Sequence, residues 1–310
     1  MSDTPEPVGP PQEGFLLRDE TFDGTFPFAP HYYTGNGFAM HYVDEGAGEP
    51  CVLVHGDPTW GYLYRTFIGP LSQQFRCIVP DHMGMGKSGA ASHLYPYRLS
   101  QHIANLEGLL LHLDLRQITL VLHDWGGPVG LGFATRHPER IKRLVLSNTW
   151  AFAPWPGGPL PRLIELIRSE RGEAFVLEKN GYVKPALMGT TAHAERLTPL
   201  ILGAYQAPFP TPDARRALLC WSRDIPLTEA DPSYNEMKRI EAGLSLFAQA
   251  PTLLLWGMQD PVLGVEVLHR WQRQYPHAAT LELADASHFV QEDAPEAMLR
   301  AIQSFVEAHP

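Results

Sequence analysis

At 310 residues, with 44% hydrophobic and 19% charged side chains, the chain has the composition of a globular protein with a large core. A formal charge of −10 argues against a nucleic-acid or anionic-membrane surface and leaves a small neutral substrate open. Three cysteines without C-x-x-C spacing suggest neither a disulfide framework nor a zinc site, and a reducing cytoplasm is the expected compartment.

The first fourteen residues are rich in Pro, Gly and acids, with no cationic start and no apolar h-region. They read as part of a flexible tail over residues 1–25, not as a signal peptide. No run of about eighteen apolar residues offers a membrane span. Residues 38–43 half-alternate and end at Asp44-Glu45-Gly46-Ala47-Gly48, the pattern of a hairpin arm feeding the next strand. That strand, residues 51–54, is short and apolar and runs into His55-Gly56-Asp57-Pro58-Thr59-Trp60. Helical spacing follows over residues 61–74, then a buried strand over 77–79.

The next loop, Asp81 to Gly89, spells G-x-G-x-x-G through Gly84, Gly86 and Gly89, and its Gly86-Lys87-Ser88 resembles the end of a phosphate loop. A phosphate loop needs Gly where Asp81 stands, and residues 92–98 carry two Tyr and a Pro, so no helix opens there. A turn is the expectation. Residues 99–113 carry an amphipathic stripe of Ile103, Leu106, Leu109, Leu110 and Leu113.

A strand at 118–122 then ends in His123-Asp124-Trp125, and Gly126-Gly127-Pro128 opens a helix. Strand, sharp turn and helix with a reactive residue at the apex is the layout of a nucleophile elbow. Its apex is Asp124, whose carboxylate is anionic at neutral pH and needs no base before attacking a saturated carbon to give an alkyl ester. The competing reading is an Asp that merely caps the helix. A further apolar strand covers 141–146. The strand-helix rhythm then breaks into Pro-rich loops and helices to about Pro226, and returns at 252–256, 280–283 and 295–308. The pattern predicts an α/β fold: a mostly parallel sheet with helices on both faces over 26–148 and 227–310, and an inserted helical cap over 149–226.

Asp260 follows the strand at 252–256, and His288 follows the one at 280–283. Asp124, Asp260 and His288 thus occur in the order nucleophile, acid, base, each after a strand. In that arrangement His288 activates water and Asp260 fixes its tautomer. Taken singly, Asp260-Pro261 reads as a turn initiator and His288 as a loop histidine; the ordered set favours catalysis. Backbone N–H groups of Asp57 and Trp125 suit an oxyanion, and the Trp125 indole N–H suits a departing halide.

With these residues in hand, the chain resembles the haloalkane dehalogenases of the α/β-hydrolase superfamily from about residue 25 onward. The matching segments are His55 to Trp60, Asp81 to Ser88, His123 to Gly127, Gly257 to Asp260 and His288 to Asp293; Asn148-Thr149-Trp150 and the segment Ala204 to Pro210 look like cap segments of the family. The resemblance implies Asp124 as nucleophile, His288 as base, Asp260 as acid and Trp125 as halide donor. It implies no cofactor, a small apolar substrate and halide as product; from the charge, no nucleic-acid or membrane partner is expected, and the chain is expected as a monomer or homodimer. Many members have Asn where this chain has Asp57, which when ionised would repel a halide. In one branch Glu stands there and a cap Trp is the second halide donor; rough alignment puts Phe175 near that Trp, with Trp150, Trp155 and Trp221 as substitutes. Hydrolytic dehalogenation of a small haloalkane is the leading expectation. The alternative is an epoxide or β-lactone opened by the same Asp124, with Tyr182, Tyr205 and Tyr234 as candidate donors for the epoxide. A non-catalytic ligand binder is the third, and the complete Asp-His-Asp set argues against it.

Overall fold

The computed structural model describes residues 14–90 and 97–310. Its strands are β1 His31–Tyr33, β2 Met40–Gly46, β3 Pro50–Val54, β4 Arg76–Pro80, β5 Ile118–Asp124, β6 Ile141–Thr149, β7 Thr252–Gly257 and β8 Ala279–Leu283. They form one sheet in the order β1-β2-β4-β3-β5-β6-β7-β8. From β4 to β8 all pairs are parallel, while β2 runs antiparallel to both β1 and β4. The segment expected to form a hairpin arm with β3 therefore pairs elsewhere, with Tyr42 opposite Pro80. Its short connection to β3 crosses over β4, because β3 spends both edges on parallel partners.

The helices are α1 Arg65–Ser72, α2 Leu99–His112, α3 Gly126–Arg136, α4 Arg162–Arg168, α5 Val183–Thr190, α6 Pro199–Gln206, α7 Arg216–Arg223, α8 Tyr234–Gly243, α9 Val265–Gln274, α10 Val290–Asp293 and α11 Pro295–Ala308. Sheet order reverses at β3: the step through α1 goes to β4 on one side, and the step through α2 goes to β5 on the other. Right-handed crossovers then set α1 on one face and α2 with α3 on the opposite face. Both central strands, β3 and β5, are buried along their whole length, as expected of strands covered on two sides. Shortening one of their core side chains, such as Leu120→Ala, costs about 2–5 kcal/mol. The reversal also opens a crevice at the carboxyl ends of β3 and β5, where the loops carrying Asp57 and Asp124 emerge.

The expected tail divides. Residues 1–13 lie outside the described residues, but from Gly14 on the chain is docked. Phe22 packs on Trp60 and Tyr62, with ring centroids 5.7 Å away in both cases. The buried Lys87 ammonium donates to the carbonyls of Arg18 and Glu20 at 3.0 and 2.7 Å. The Gly-rich loop before Gly89 is a turn, as its sequence suggests, wrapped around a carboxylate of its own chain. Asp81 accepts from the Gly61 and Lys87 N–H groups at 2.7 and 2.8 Å and meets His41 Nδ1 at 2.8 Å. A Cβ on Gly86, where φ is +54°, would stand 2.1 Å from that carboxylate. Most of the segment expected to lack a helix after this loop lies outside the described residues.

Helices α4 to α7 lie between β6 and β7 and are fastened to the sheet. The Trp60 indole donates to the Ala204 carbonyl at 3.1 Å. Arg65 grips Glu292 with two bonds of 2.6 and 2.7 Å, and the Tyr205 hydroxyl donates to the same carboxylate. Asp293 accepts from the N–H groups of Ala192 and His193 at 3.0 and 2.8 Å, and from Ser287 N–H at 2.8 Å, beside His288. Among the described residues no helix is long and apolar enough to cross a membrane.

Candidate active site

The elbow is built by close approach. Asp124 ends β5 with φ of +49°, a left-handed conformation that Asp tolerates better than most residues. Glycine is required around it: a Cβ on Gly56 would stand 2.3 Å from Asp124 Oδ1, and one on Gly126 would stand 2.1 Å from the Val54 carbonyl oxygen. Thr149 Oγ donates to the Asp124 carbonyl at 2.5 Å, tying the turn to the end of β6. The side chain of Asp124 then faces the crevice, where the Asp57 backbone N–H donates to its Oδ1 at 3.0 Å.

His288 stands on the loop after β8, with Nε2 3.5 Å from Asp124 Oδ2 and Nδ1 2.8 Å from Asp260 Oδ2. Its backbone is held from two sides. Its N–H donates to the Thr190 carbonyl at 3.0 Å, and its carbonyl meets His123 Nε2 at 2.8 Å. Burial opposes a charge on His288, but Asp260 and Asp124 together outweigh it and raise its pKa. Asp260 is likewise buried, which alone would raise it, yet the imidazolium and backbone N–H donors hold it below the usual carboxylate range. His123 lies beneath; burial and the neighbouring His288 charge bring it down to about 4, so it is a neutral support.

Asn148 completes the setting of Asp260, a part that sequence reasoning left without a role. Its Nδ2 donates to Asp260 Oδ2 at 2.8 Å, and its Oδ1 accepts from Gly257 N–H at 2.8 Å. The available signal was its place: a polar residue closing an apolar strand on the same sheet edge as Asp124.

A chamber above these groups is lined by Asp57, Asp124, Trp125 and His288 from the sheet side. Trp155, Ile164, Tyr182 and Ser222 line it from the stretch between β6 and β7. Its wall is overwhelmingly apolar. Asp57 does not stand free in it: the Tyr182 hydroxyl donates to Asp57 Oδ2 at 2.5 Å, and Ser222 Oγ reaches the same oxygen at 3.4 Å. Burial pushes the Asp57 carboxyl well above the usual carboxylate range. The Tyr182 bond opposes this in part, and the Asp124 charge adds to it.

Phe175 is not among the described residues that line the chamber. It sits in a π-helical turn, Ala174–Glu178, with its ring against the backbone of Gly181. The position expected for a second halide donor is thus turned away, and Tyr182, seven residues on, occupies the chamber. Trp150 and Trp155 also line the chamber, each with a buried indole N–H that has no partner among the described residues. Trp221 packs behind Trp125, their ring centroids 5.0 Å apart, and stacks on His102 at 3.8 Å. Of the three tyrosines considered for an epoxide, only Tyr182 lines the chamber among the described residues; Tyr205 is bound to Glu292.

Comparison with known proteins agrees with this architecture. A family model described as alpha/beta hydrolase fold matches residues 49–295. A cis-3-alkyl-4-alkyloxetan-2-one decarboxylase from Shewanella oneidensis is 40% identical over 287 residues, covering 92% of this chain and 90% of that protein. Haloalkane dehalogenase 2 from Mycobacterium bovis is 32% identical over 280 residues, covering 89% and 94%. Among solved structures, haloalkane dehalogenase DatA from Agrobacterium tumefaciens C58 superposes with a TM-score of 0.81 at 27% identity, covering 91% and 97%.

Proposed function

Since the chain belongs to the alpha/beta-hydrolase fold family, as a haloalkane dehalogenase-like member, we propose that it opens and decarboxylates a dialkyl β-lactone. Asp124 is the nucleophile and Asp260 holds His288. The helical stretch over 149–226 is the cap that excludes water. One observation carries this choice of electrophile. The polar groups beside Asp124 are two oxygen acids, Asp57 and Tyr182, joined at 2.5 Å. The acid proton of this pair can be shared with an oxygen leaving group in a short, charge-assisted O–H···O bond, which a larger and more diffuse halide accepts less well. The 40% identity to an oxetan-2-one decarboxylase supports the same reading, and the apolar wall suits two alkyl chains.

The chemistry closes without a cofactor. An Asp124 oxygen attacks C4 of the ring, the C4–O bond breaks, and its electron pair stays on the new carboxylate. The C3–carboxylate bond then breaks to release carbon dioxide. Its pair forms the C3=C4 double bond, while the ester C–O pair returns to Asp124. Inversion at C4 followed by anti elimination carries a cis lactone to a cis alkene. His288 keeps the nucleophile in place and balances its charge, and no water is consumed.

A second reading, hydrolytic dehalogenation, is favoured by Trp125 with the unpartnered indole N–H groups of Trp150 and Trp155. On that route ester formation neutralises Asp124 and removes one of the two anions holding the proton on His288. The imidazole then releases it and activates water, while the N–H groups of Asp57 and Trp125 receive the oxyanion.

The two routes part at His288→Phe. Intact-protein mass spectrometry should find an alkyl ester on the variant after a bromoalkane if dehalogenation operates, because water can no longer be activated. With a cis-3,4-dialkyloxetan-2-one, the wild type should give alkene and carbon dioxide by gas chromatography. A β-hydroxy acid, or no product from the lactone, overturns the decarboxylase reading.

A further inference from the structure

We infer that Asp57 acts as a carboxylic acid whose Oδ1 hydroxyl hydrogen-bonds the lactone carboxyl group, with Tyr182 and Ser222 fixing it through Oδ2. The inference rests on the lactone reading and assigns that reading its electrophilic group.

The two oxygens of Asp57 differ. Oδ2 accepts from Tyr182 and faces Ser222, whereas Oδ1 is buried with no hydrogen-bond partner among the described residues. A bare carboxylate oxygen in a dry wall loses its hydration with nothing in return. A hydroxyl there loses less and becomes the chamber's donor. Since Oδ2 is taken up as an acceptor, the proton belongs on Oδ1.

The surrounding charges lead to the same assignment. Asp57 faces Asp124 from β5, Tyr182 from the start of α5, Ser222 from α7 and the indole of Trp125. The one cation beside them, His288, is already held between Asp124 and Asp260. No Lys or Arg lines the chamber among the described residues. A third carboxylate would leave two unbalanced anions in a site of low dielectric, so one carboxyl keeps its proton. Asp57 is that one, and its raised pKa agrees.

During ring opening, negative charge grows on the carboxyl oxygens as the C4–O pair departs, and the Asp57 O–H bond strengthens with it. The proton stays on Asp57, because a protonated acid could not lose carbon dioxide in the next step. As carbon dioxide leaves, the bond is released and Asp57 is unchanged.

Two measurements test this. Infrared difference spectroscopy of wild type against Asp57→Asn, both free of substrate at neutral pH, should show a protonated carboxyl stretch that the variant lacks. In the second, Asp57→Asn keeps an N–H donor where Oδ1 stood, and Asp57→Val keeps the shape without a donor. Alkene formation should fall by less than about tenfold in the first and by about 10²–10³ in the second, with thermal melts confirming that both are folded. If Asp57 shows no protonated band, or if the Val variant matches the Asn variant, the assignment is overturned while the decarboxylase reading stands. If the wild type makes no alkene, the lactone reading falls and takes this role with it; the infrared band still reports the state of Asp57.

Discussion

Two regions meet at the chamber, and they hold their side chains by different means. The end of β5 and the loops after β3, β7 and β8 place Asp124, Asp57, Asp260 and His288 through hydrogen bonds and glycine contacts at the sheet edge. The stretch between β6 and β7 places Tyr182, Trp155 and Ser222 through helix packing and a few clasps, such as that of Asp293 to the N–H groups of Ala192 and His193. On the proposed reading, the sheet edge supplies the reaction, and the inserted stretch supplies the shape and polarity that choose its electrophile. A nucleophile fixed by strands is free to serve different leaving groups as the covering helices change.

The sharpest way to break that division is Asp124→Asn. Turnover of any electrophile should drop by at least about four orders of magnitude, because one member of a set acting as a unit is gone. Stability should stay within about 1 kcal/mol, since Asn tolerates the left-handed turn and still accepts from Asp57 N–H. Residual activity above that level would move the nucleophile elsewhere in the chamber. Gly56→Ala is the next largest. Its Cβ would stand 2.3 Å from Asp124 Oδ1 and 2.7 Å from Trp125 N, so the elbow must shift. A displacement of about 1 Å costs on the order of a hundredfold in kcat. A variant with unchanged kcat would mean that the sheet edge is softer than its contacts require.

The same division explains what could be read in advance. Asp124, Asp260 and His288 were legible because each follows an apolar run that ends abruptly, and strand ends in a parallel sheet converge on one edge. Asn148 follows the same rule but carries no reactive group, so its bond to Asp260 became apparent only with the fold. The inserted stretch offered no comparable register. A π-helical turn at Ala174–Glu178 adds a residue to its helical turn and breaks the spacing by which a chamber-facing position is counted. Phe175 was put near a halide-binding Trp by rough alignment alone, and it does not line the chamber among the described residues, whereas Tyr182 does. Pairing went astray for another reason: β2 looked like a hairpin partner of β3 because the connection is short, yet β3 has both edges taken by parallel neighbours.

A smaller effect separates the groups by pH. Burial opposes a charge on His288, but Asp260 and Asp124 outweigh it and lift it to about 10. The stabilisation it gives is complete below about 6.5, its unfolded value, and is lost as pH rises through about 10. Asp260 runs the other way: held low, it contributes above about 3.9 and loses that contribution as pH falls. Denaturant unfolding of wild type and His288→Phe should therefore show a stability gap that narrows between neutral pH and about pH 10.5. A gap that widens over that range would mean that His288 is not the group holding the proton.

The smallest expected effect is the most specific to the inserted helices. Phe175→Trp places an indole where alignment alone would put a halide donor. The ring at this position lies 2.6 Å from where a Cβ on Gly181 would stand and is absent from the chamber lining among the described residues. The larger side chain should cost about 1–3 kcal/mol by overpacking against that backbone. Bromide affinity, followed by quenching of tryptophan fluorescence, should remain at the wild-type value. Asp57→Asn should also leave it near the wild-type value, because an amide N–H takes the place of the acid O–H. If Phe175→Trp instead strengthens bromide binding, the π-helical turn rotates to bring residue 175 inward. The chamber would then have two alternative second walls, one presenting Asp57 held by Tyr182 and one presenting an indole.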